Sequence, residues 1–334
     1  VTAPVLDVDR LRVLLPGRDG TKLPAVDGVS FAVAPGEIVG VAGESGSGKT
    51  MTALALFGLL PHGATTEGAL RFDGSDVLTM RAKDLRGLRG QSMSMVFQDP
   101  MTSLHPMLTV EKQITEHLRF HTGVGRRAAR ARALELLEQV RIPDPARTLG
   151  AYPHQFSGGM RQRVAIAVAL ACSPRLLIAD EPTTALDVTV QAGILRLLDR
   201  LRREEGLAIV IITHDLGVMS SIADRVVVMY AGRVAESGPT AEVLGAPRHP
   251  YTRGLLDALP HPERGTTSLV PIAGAPPVLG GKPAGCAFHP RCAFAEARCR
   301  TDRPEALPVD DRRRLACWVD PFVADPVLSG KESA

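Results

Sequence analysis

The chain has 334 residues, 45% hydrophobic and 22% charged, with 39 Lys and Arg set against 36 Asp and Glu for a net charge of +3. That is length for about two domains and the composition of an ordinary globular protein, and so even a balance gives no electrostatic ground for a nucleic-acid partner. No run approaches the roughly 18 to 20 apolar residues that span a bilayer and no basic-then-apolar leader opens the sequence, so a cytosolic protein is expected, reaching a membrane only through partner subunits.

Short apolar pieces, Val5 to Val8 and Leu11 to Leu15, alternate with Pro16, Gly17 and Gly20 and continue as Val26 to Val33. They read as antiparallel strands, with Pro35-Gly36 as the next turn. A strand-like run over 37–42 then leads into GESGSGKT, Gly43 to Thr50, and a helix-like stretch from Met51 to Phe57. This strand, glycine-rich turn and helix is the setting of a phosphate-binding P-loop. Backbone N–H groups of Gly43, Ser45, Gly46, Ser47 and Gly48 wrap the phosphates at a helix N-terminus, Lys49 reaches the outer phosphates, and the Thr50 hydroxyl ligates Mg²⁺.

Ala69 to Phe72 and Met93 to Phe97 are further strand candidates. From Val110 to Arg141 the spacing turns helical, with Leu134, Leu137 and Val140 among many charges. A helical subdomain inserted over about residues 100–160 is expected, with Arg126, Arg127, Arg130 and Arg132 on a solvated face or, as the alternative, on a surface for an acidic partner. Ser157-Gly158-Gly159 opens another helix and forms a second anion site, and Val164 to Cys172, apolar on nearly all sides, reads as a buried helix.

Leu176 to Ala179 and Ala208 to Ile212 are continuous apolar runs of strand length, the mark of a parallel sheet covered on both faces. Val190, Ile194, Leu197, Leu198 and Leu201 keep the spacing of a crossover helix between them. Arg225 to Tyr230, Arg233 to Glu236 and a short helix from Pro239 to Leu244 complete an α/β P-loop fold over residues 1–245. From 246 to 334 the chain turns rich in Pro and Gly and then in cysteine, the start of a smaller second module.

Hydrolysis needs a second handle on Mg²⁺ and a group that activates water. Asp180 and Glu181, together at the end of an apolar strand, suit those roles: Asp180 holds the ion through water and Glu181 polarises the attacking water. Gln98 is placed to sense Mg²⁺ and the water, and His214 to hydrogen-bond the γ-phosphate.

With these residues in place the chain resembles the ATP-binding-cassette (ABC) ATPases. FSGGMRQR at Phe156 to Arg163 looks like their signature, LLIADEP at Leu176 to Pro182 their acidic strand motif, and ALD at Ala185 to Asp187 their dimer-contact loop. The resemblance implies a RecA-like core with an antiparallel β subdomain and a helical subdomain. It also implies a head-to-tail pair in which the signature of one subunit, Ser157 to Gly159, closes over the P-loop ATP of another, with Asp187 at the contact.

Within that family, QDPMTSLHP, YPHQFSGGMRQRV, DEPTTALDVTVQ, THDLGV, HPYTRGLL and GCAFHPRC through Cys317-Trp318 are similar to the first ATPase subunit of oligopeptide and dipeptide importers. Nickel importers belong to the same group, so a metal-complex importer stays open as an alternative. The resemblance implies a related second ATPase subunit, two membrane permease subunits and an extracytoplasmic solute-binding protein, with this chain peripheral on the cytoplasmic face of the inner membrane. A non-transport ABC ATPase of DNA repair or translation is the other class. It is disfavoured because long coiled coils, zinc fingers and a second cassette are all missing from the sequence.

The spacing C-x5-C-x6-C-x17-C of Cys286, Cys292, Cys299 and Cys317 lacks the close pairs common at structural zinc. Four thiolates from one loop-rich segment suit a [4Fe–4S] cluster, which some relatives are thought to carry, with zinc or free thiols as the alternatives. His289 is a weaker ligand candidate, and Cys172 is expected to be a core residue. One departure from the family stands out. No aromatic residue precedes Phe31 to stack on adenine, which leaves aliphatic contacts around Leu15 to Leu23.

Overall fold

The computed structural model describes residues 3–98, 103–184, 186–259 and 271–322. Ala185 of the dimer-contact motif and residues 99–102 of the QDPMTSLHP motif lie outside them.

The first layer is a four-stranded antiparallel sheet in the order β2-β1-β4-β5, built from β1 (Leu6–Pro16), β2 (Lys22–Val33), β4 (Thr65–Phe72) and β5 (Ser75–Asp76). The two apolar pieces expected before Pro16 are one strand. Its pairing register slips between Val8 and Leu11, where Arg10 takes a positive φ of 47°. Opposite this bulge sits Gly68, whose Cβ would fall 2.4 Å from the Arg10 carbonyl oxygen. The bulge absorbs the break in alternation that reads, along the sequence, as two strands.

The second layer is an eight-stranded sheet. Its parallel heart runs β9 (Arg225–Tyr230), β3 (Ile38–Ala42), β8 (Ala208–Ile212), β7 (Leu176–Asp180) and β6 (Met93–Val96). Every residue of β3, β7 and β8 is buried, the result expected of apolar runs without alternation. On the β9 side three antiparallel strands extend the sheet: β10 (Arg233–Pro239), then β12 (Arg314–Leu315), then β11 (Leu307–Pro308). The chain thus returns after some seventy residues to pair with β10.

Helices fill the remaining surfaces. α1 (Lys49–Leu56) follows the P-loop and α2 (Ala82–Leu88) precedes β6. The helical region holds α3 (Val110–Thr122), α4 (Arg126–Gln139), α5 (Pro145–Leu149) and α6 (Gly158–Ala169). Gly123, with φ of 70°, ends α3 and divides the helical stretch that the spacing suggests. Arg126, Arg127 and Arg130 are exposed, whereas Arg132 is half-buried and pairs with Glu135. α7 (Val188–Glu205) is the crossover helix, burying Ile194, Leu197, Leu198 and Leu201. α8 (Leu216–Ile222), α9 (Thr240–Gly245) and α10 (Pro250–Asp257) follow, with α11 (Ala297–Thr301) near the end.

Three apolar clusters lock these layers. One joins the helical region to one face of the parallel sheet, and another fills the space between the two sheets. The third gathers Tyr230, Tyr251, Val243 and Phe288, so the cysteine-bearing segment packs against β9 and β10.

Candidate functional site

β3, β6, β7 and β8 run parallel, so the residues that follow them emerge at one edge of the sheet, the place where open α/β sheets bind ligands. β3 delivers the P-loop, β6 delivers Gln98, β7 delivers Asp180 and Glu181, and β8 delivers His214.

The P-loop depends on glycine at specific points. Gly43 has φ of 146°, and a Cβ there would lie 2.2 Å from the Met229 carbonyl oxygen and 2.8 Å from Ser47 Oγ. Gly48, at φ of 100°, lies against Ala25 and Gly232 and leads into α1. A backbone pressed this closely against its neighbours leaves no room for side chains. Ser45 and Gly46 are exposed on the outer turn of the loop, and Ser47 is buried.

Lys49 Nζ donates to the carbonyls of Gly43 at 2.7 Å and Glu44 at 2.9 Å. Burial lowers its pKa, opposed by the charges of Glu181, Asp180 and Glu44. The Thr50 hydroxyl donates to Asp180 Oδ2 at 3.0 Å. Burial raises the Asp180 pKa, and neighbouring Glu181 adds to that effect against the pull of Thr50 and Lys49. A hydroxyl, a carboxylate that gains from a nearby cation, and the Gln98 amide make a set of hard oxygen donors that fits Mg²⁺.

Glu181 sits at the centre. Gln98 Nε2 donates to Oε2 at 2.9 Å, the Thr184 hydroxyl donates to the same oxygen at 2.8 Å, and His214 Nδ1 lies 3.0 Å from Oε1. Burial works to raise its pKa, but the His214 and Thr184 hydrogen bonds and the charges of His214 and Lys49 win, and the net shift is downward. An ionised carboxylate is the form that can accept a proton. Glu181 also holds a left-handed φ of 47°, fixed by its N–H bonding to the Ile212 carbonyl at 2.7 Å. Strained backbone of this kind concentrates at working sites.

The structure therefore brings together Lys49, Thr50, Gln98, Asp180, Glu181 and His214. Ser157, Gly158 and Gly159 stand apart, without a hydrogen bond to the P-loop among the described residues. Ser157 caps α6 by accepting the Met160 N–H, Ser157 and Gly158 are exposed, and Gly159 is buried with its missing Cβ 2.4 Å from Val190 Cγ1. Asp187 caps α7 by accepting the Val190 N–H at 2.9 Å.

Two further contributors lie within the motifs HPYTRGLL and GCAFHPRC, which do not by themselves direct them to the P-loop. Tyr251 is fully buried, and its hydroxyl accepts the Glu44 N–H at 2.8 Å. Arg291 forms a two-pronged ion pair with the Glu44 carboxylate. Both lie more than two hundred residues from the P-loop, a separation that no local pattern bridges. Near the expected adenine position, Leu15 pairs with Leu23 across β1 and β2, and Gly280 lies against Leu23.

Cys286, Cys292, Cys299 and Cys317 line one small cavity with Phe288 and Trp318. Backbone N–H groups of Phe288, Phe294 and Asp320 point at the sulfurs of Cys286, Cys292 and Cys317. Burial pushes the Cys286 thiol up to about 11, and the other three sulfurs add to the shift. Convergent sulfurs served by N–H donors fit the chemistry of a thiolate-bound group. Yet no set of three or more His, Cys, Asp or Glu among the described residues is arranged to hold a metal ion. Cys172 is half-buried against the first core cluster.

Residues 26–184 match the ABC transporter family, and residues 235–299 match the C-terminal region of oligopeptide and dipeptide transporters. The chain is 47% identical over 314 residues to the dipeptide transport ATP-binding protein DppD of Escherichia coli K12, covering 94% of this chain and 96% of that one. It is 46% identical over 316 residues to the oligopeptide transport ATP-binding protein OppD of Haemophilus influenzae, covering 95% and 97%. Among solved structures it is similar to MJ0796, a dimeric ABC transporter cassette, at TM-score 0.63 and 30% identity over 70% of this chain and 98% of that one. The same cassette is also known as a dimer in a post-hydrolysis state bound to ADP and phosphate, with the same score and identity.

Proposed function

Because the chain belongs to the ABC transporter ATPases and carries the C-terminal region of oligopeptide and dipeptide transporters, we propose that it is the ATP-hydrolysing subunit that energises peptide import. The observation that carries this reading is Glu181, ionised and gripped by Gln98, Thr184 and His214 beside Lys49 and the Thr50–Asp180 pair.

Gly43, Ser45, Gly46, Ser47, Gly48 and Lys49 bind the phosphates of ATP. Thr50, Asp180 and Gln98 would hold Mg²⁺, which when bound neutralises phosphate charge. Glu181 takes the proton from the attacking water. His214 holds Glu181 at the γ-phosphate side, and Gln98 orients the same carboxylate. Ser157, Gly158 and Gly159 close over the ATP of a second, homologous ATPase subunit, with Asp187 at the contact. Such closure explains why the α6 N-terminus is exposed and separate from the P-loop of its own chain.

Two permease subunits complete the importer, with an extracytoplasmic binding protein delivering peptide and this chain peripheral on the cytoplasmic face of the inner membrane. No helix among the described residues is long and apolar enough to cross a membrane. Residues 1–245 are the ATPase unit and 246–334 the importer-type extension, tied to it through β12. Cys286, Cys292, Cys299 and Cys317 would hold a [4Fe–4S] cluster, a reading supported by the four thiols lining one cavity.

The test is ATP-dependent peptide uptake by vesicles holding the complete complex, with and without Glu181→Gln. Uptake and phosphate release that both persist in the variant overturn the reading. For the cysteines, iron and sulfide are measured after anaerobic purification. One zinc per chain and no iron overturns the cluster.

A further inference from the structure

Glu44 places a carboxylate inside a loop built to receive anions, a liability unless something neutralises it. Arg291 does so. Its Nη1 lies 2.7 Å from Glu44 Oε2 and its Nη2 lies 3.0 Å from Oε1, with the Arg291 side chain 5% exposed and that of Glu44 26%. This is a fork-to-fork pair, the geometry that lysine cannot reproduce.

Arg291 is itself held on several sides. Its Nε donates to the Ala273 carbonyl at 2.9 Å, and its guanidinium lies 5.8 Å from the Tyr230 ring centre and 5.9 Å from that of Phe288. It ends the tight turn His289–Arg291, bounded by Cys286 and Cys292, whose first N–H bonds to the Cys286 carbonyl at 3.0 Å. Tyr251 meanwhile fixes the Glu44 backbone. A second residue of the same segment works behind the loop. Lys282 Nζ donates to the Pro24 carbonyl at 2.5 Å, next to Gly232, which abuts Gly48.

We propose that Arg291 is a positioning residue of the nucleotide site, cancelling the Glu44 charge and holding the opening of the P-loop so that the C-terminal segment becomes part of the ATP-binding apparatus. This rests on the reading of the P-loop as an ATP site. The sign of the effect follows from charge. ATP brings several negative charges, and an unpaired Glu44 repels them at short range in a partly dry site, where Coulomb interactions are weakly screened. A role limited to packing makes a different prediction, because loss of packing is not repaired by removing the carboxylate.

The experiment is calorimetric titration of the purified full chain with MgATP, each variant first checked by circular dichroism. Arg291→Ala is expected to weaken ATP binding about tenfold, in keeping with loss of a charge-assisted pair. The double variant Glu44→Gln with Arg291→Ala is expected to recover to within about threefold of the parent chain. Arg291→Ala binding as tightly as the parent overturns the proposal, and so does a double variant as weak as the single one. If Arg291→Ala does not fold, the neutral Arg291→Gln with and without Glu44→Gln gives the same comparison. A parent chain that binds no ATP overturns the ATP-site reading as well, and so separates the two failures.

Discussion

His249 yields a prediction whose size follows from its surroundings. The residue is 3% exposed, and its ring Nδ1 accepts the Tyr251 N–H at 3.0 Å as it caps α10. Its other nitrogen bonds to the Ala316 backbone. This arrangement calls for a neutral ring with a bare Nδ1 and the proton on Nε2. Burial lowers its pKa from 6.5 to about 4, only partly opposed by the Ala316 bond. A second proton has to displace the Tyr251 N–H and would set positive charge at the positive end of a helix.

The unfolded chain binds that proton near pH 6.5 and the folded chain only near pH 4, so the stabilising difference is complete above 6.5 and is lost as pH falls towards 4. Linkage over this shift gives a loss of about 2 kcal/mol between about pH 7.5 and 5.0 from this one group. His249→Asn keeps a capping oxygen for Tyr251 but cannot titrate. It should be less stable than the parent at every pH, for want of the Ala316 bond, yet its loss on acidification should be smaller by about 2 kcal/mol. Urea unfolding at the two pH values measures this double difference, in which groups shared by both proteins cancel. Equal pH dependence in the two proteins would refute a buried neutral His249.

Glu181→Gln should slow phosphate release by about 10² to 10⁴-fold while MgATP binding persists, because the amide keeps the shape but cannot take a proton. Gly43→Ala should abolish ATP binding, since the new methyl falls 2.2 Å from a backbone carbonyl at a φ of 146°; titration with MgATP checks it, and near-normal affinity contradicts the close approach. Arg313→Met leaves Glu236, whose side chain is 1% exposed, without its charge partner at 2.6 Å. Unfolding stability should drop by about 3 to 5 kcal/mol. Adding Glu236→Gln should recover much of that loss, and a single variant close to the parent in urea midpoint speaks against a buried pair.

Much of the hydrolytic centre is legible in the sequence because each part is local. A P-loop needs a strand, a glycine turn and a helix in immediate succession, and Gly43 to Thr50 shows all three within one short stretch. Asp180 and Glu181 are recognisable because they end an unbroken apolar run, and such a run must be a buried strand. Register within β1 is less legible. A bulge at Arg10 restores pairing after two residues that break the alternation, and only the partner strand, with Gly68 opposite, makes that possible.

By itself, then, the sequence determined the nucleotide chemistry, the buried strands of the parallel core and the gathering of cysteines in its last part, all of which rest on residues near one another along the chain. Tertiary structure decided how Glu181 is gripped, because Gln98 and His214 reach it from distant segments and join the nearby Thr184. It also decided that Tyr251 and Arg291 close on Glu44. Their contact is set by the third apolar core cluster, in which Tyr230, Tyr251 and Phe288 pack together, and packing acts between surfaces that only the folded chain brings within reach.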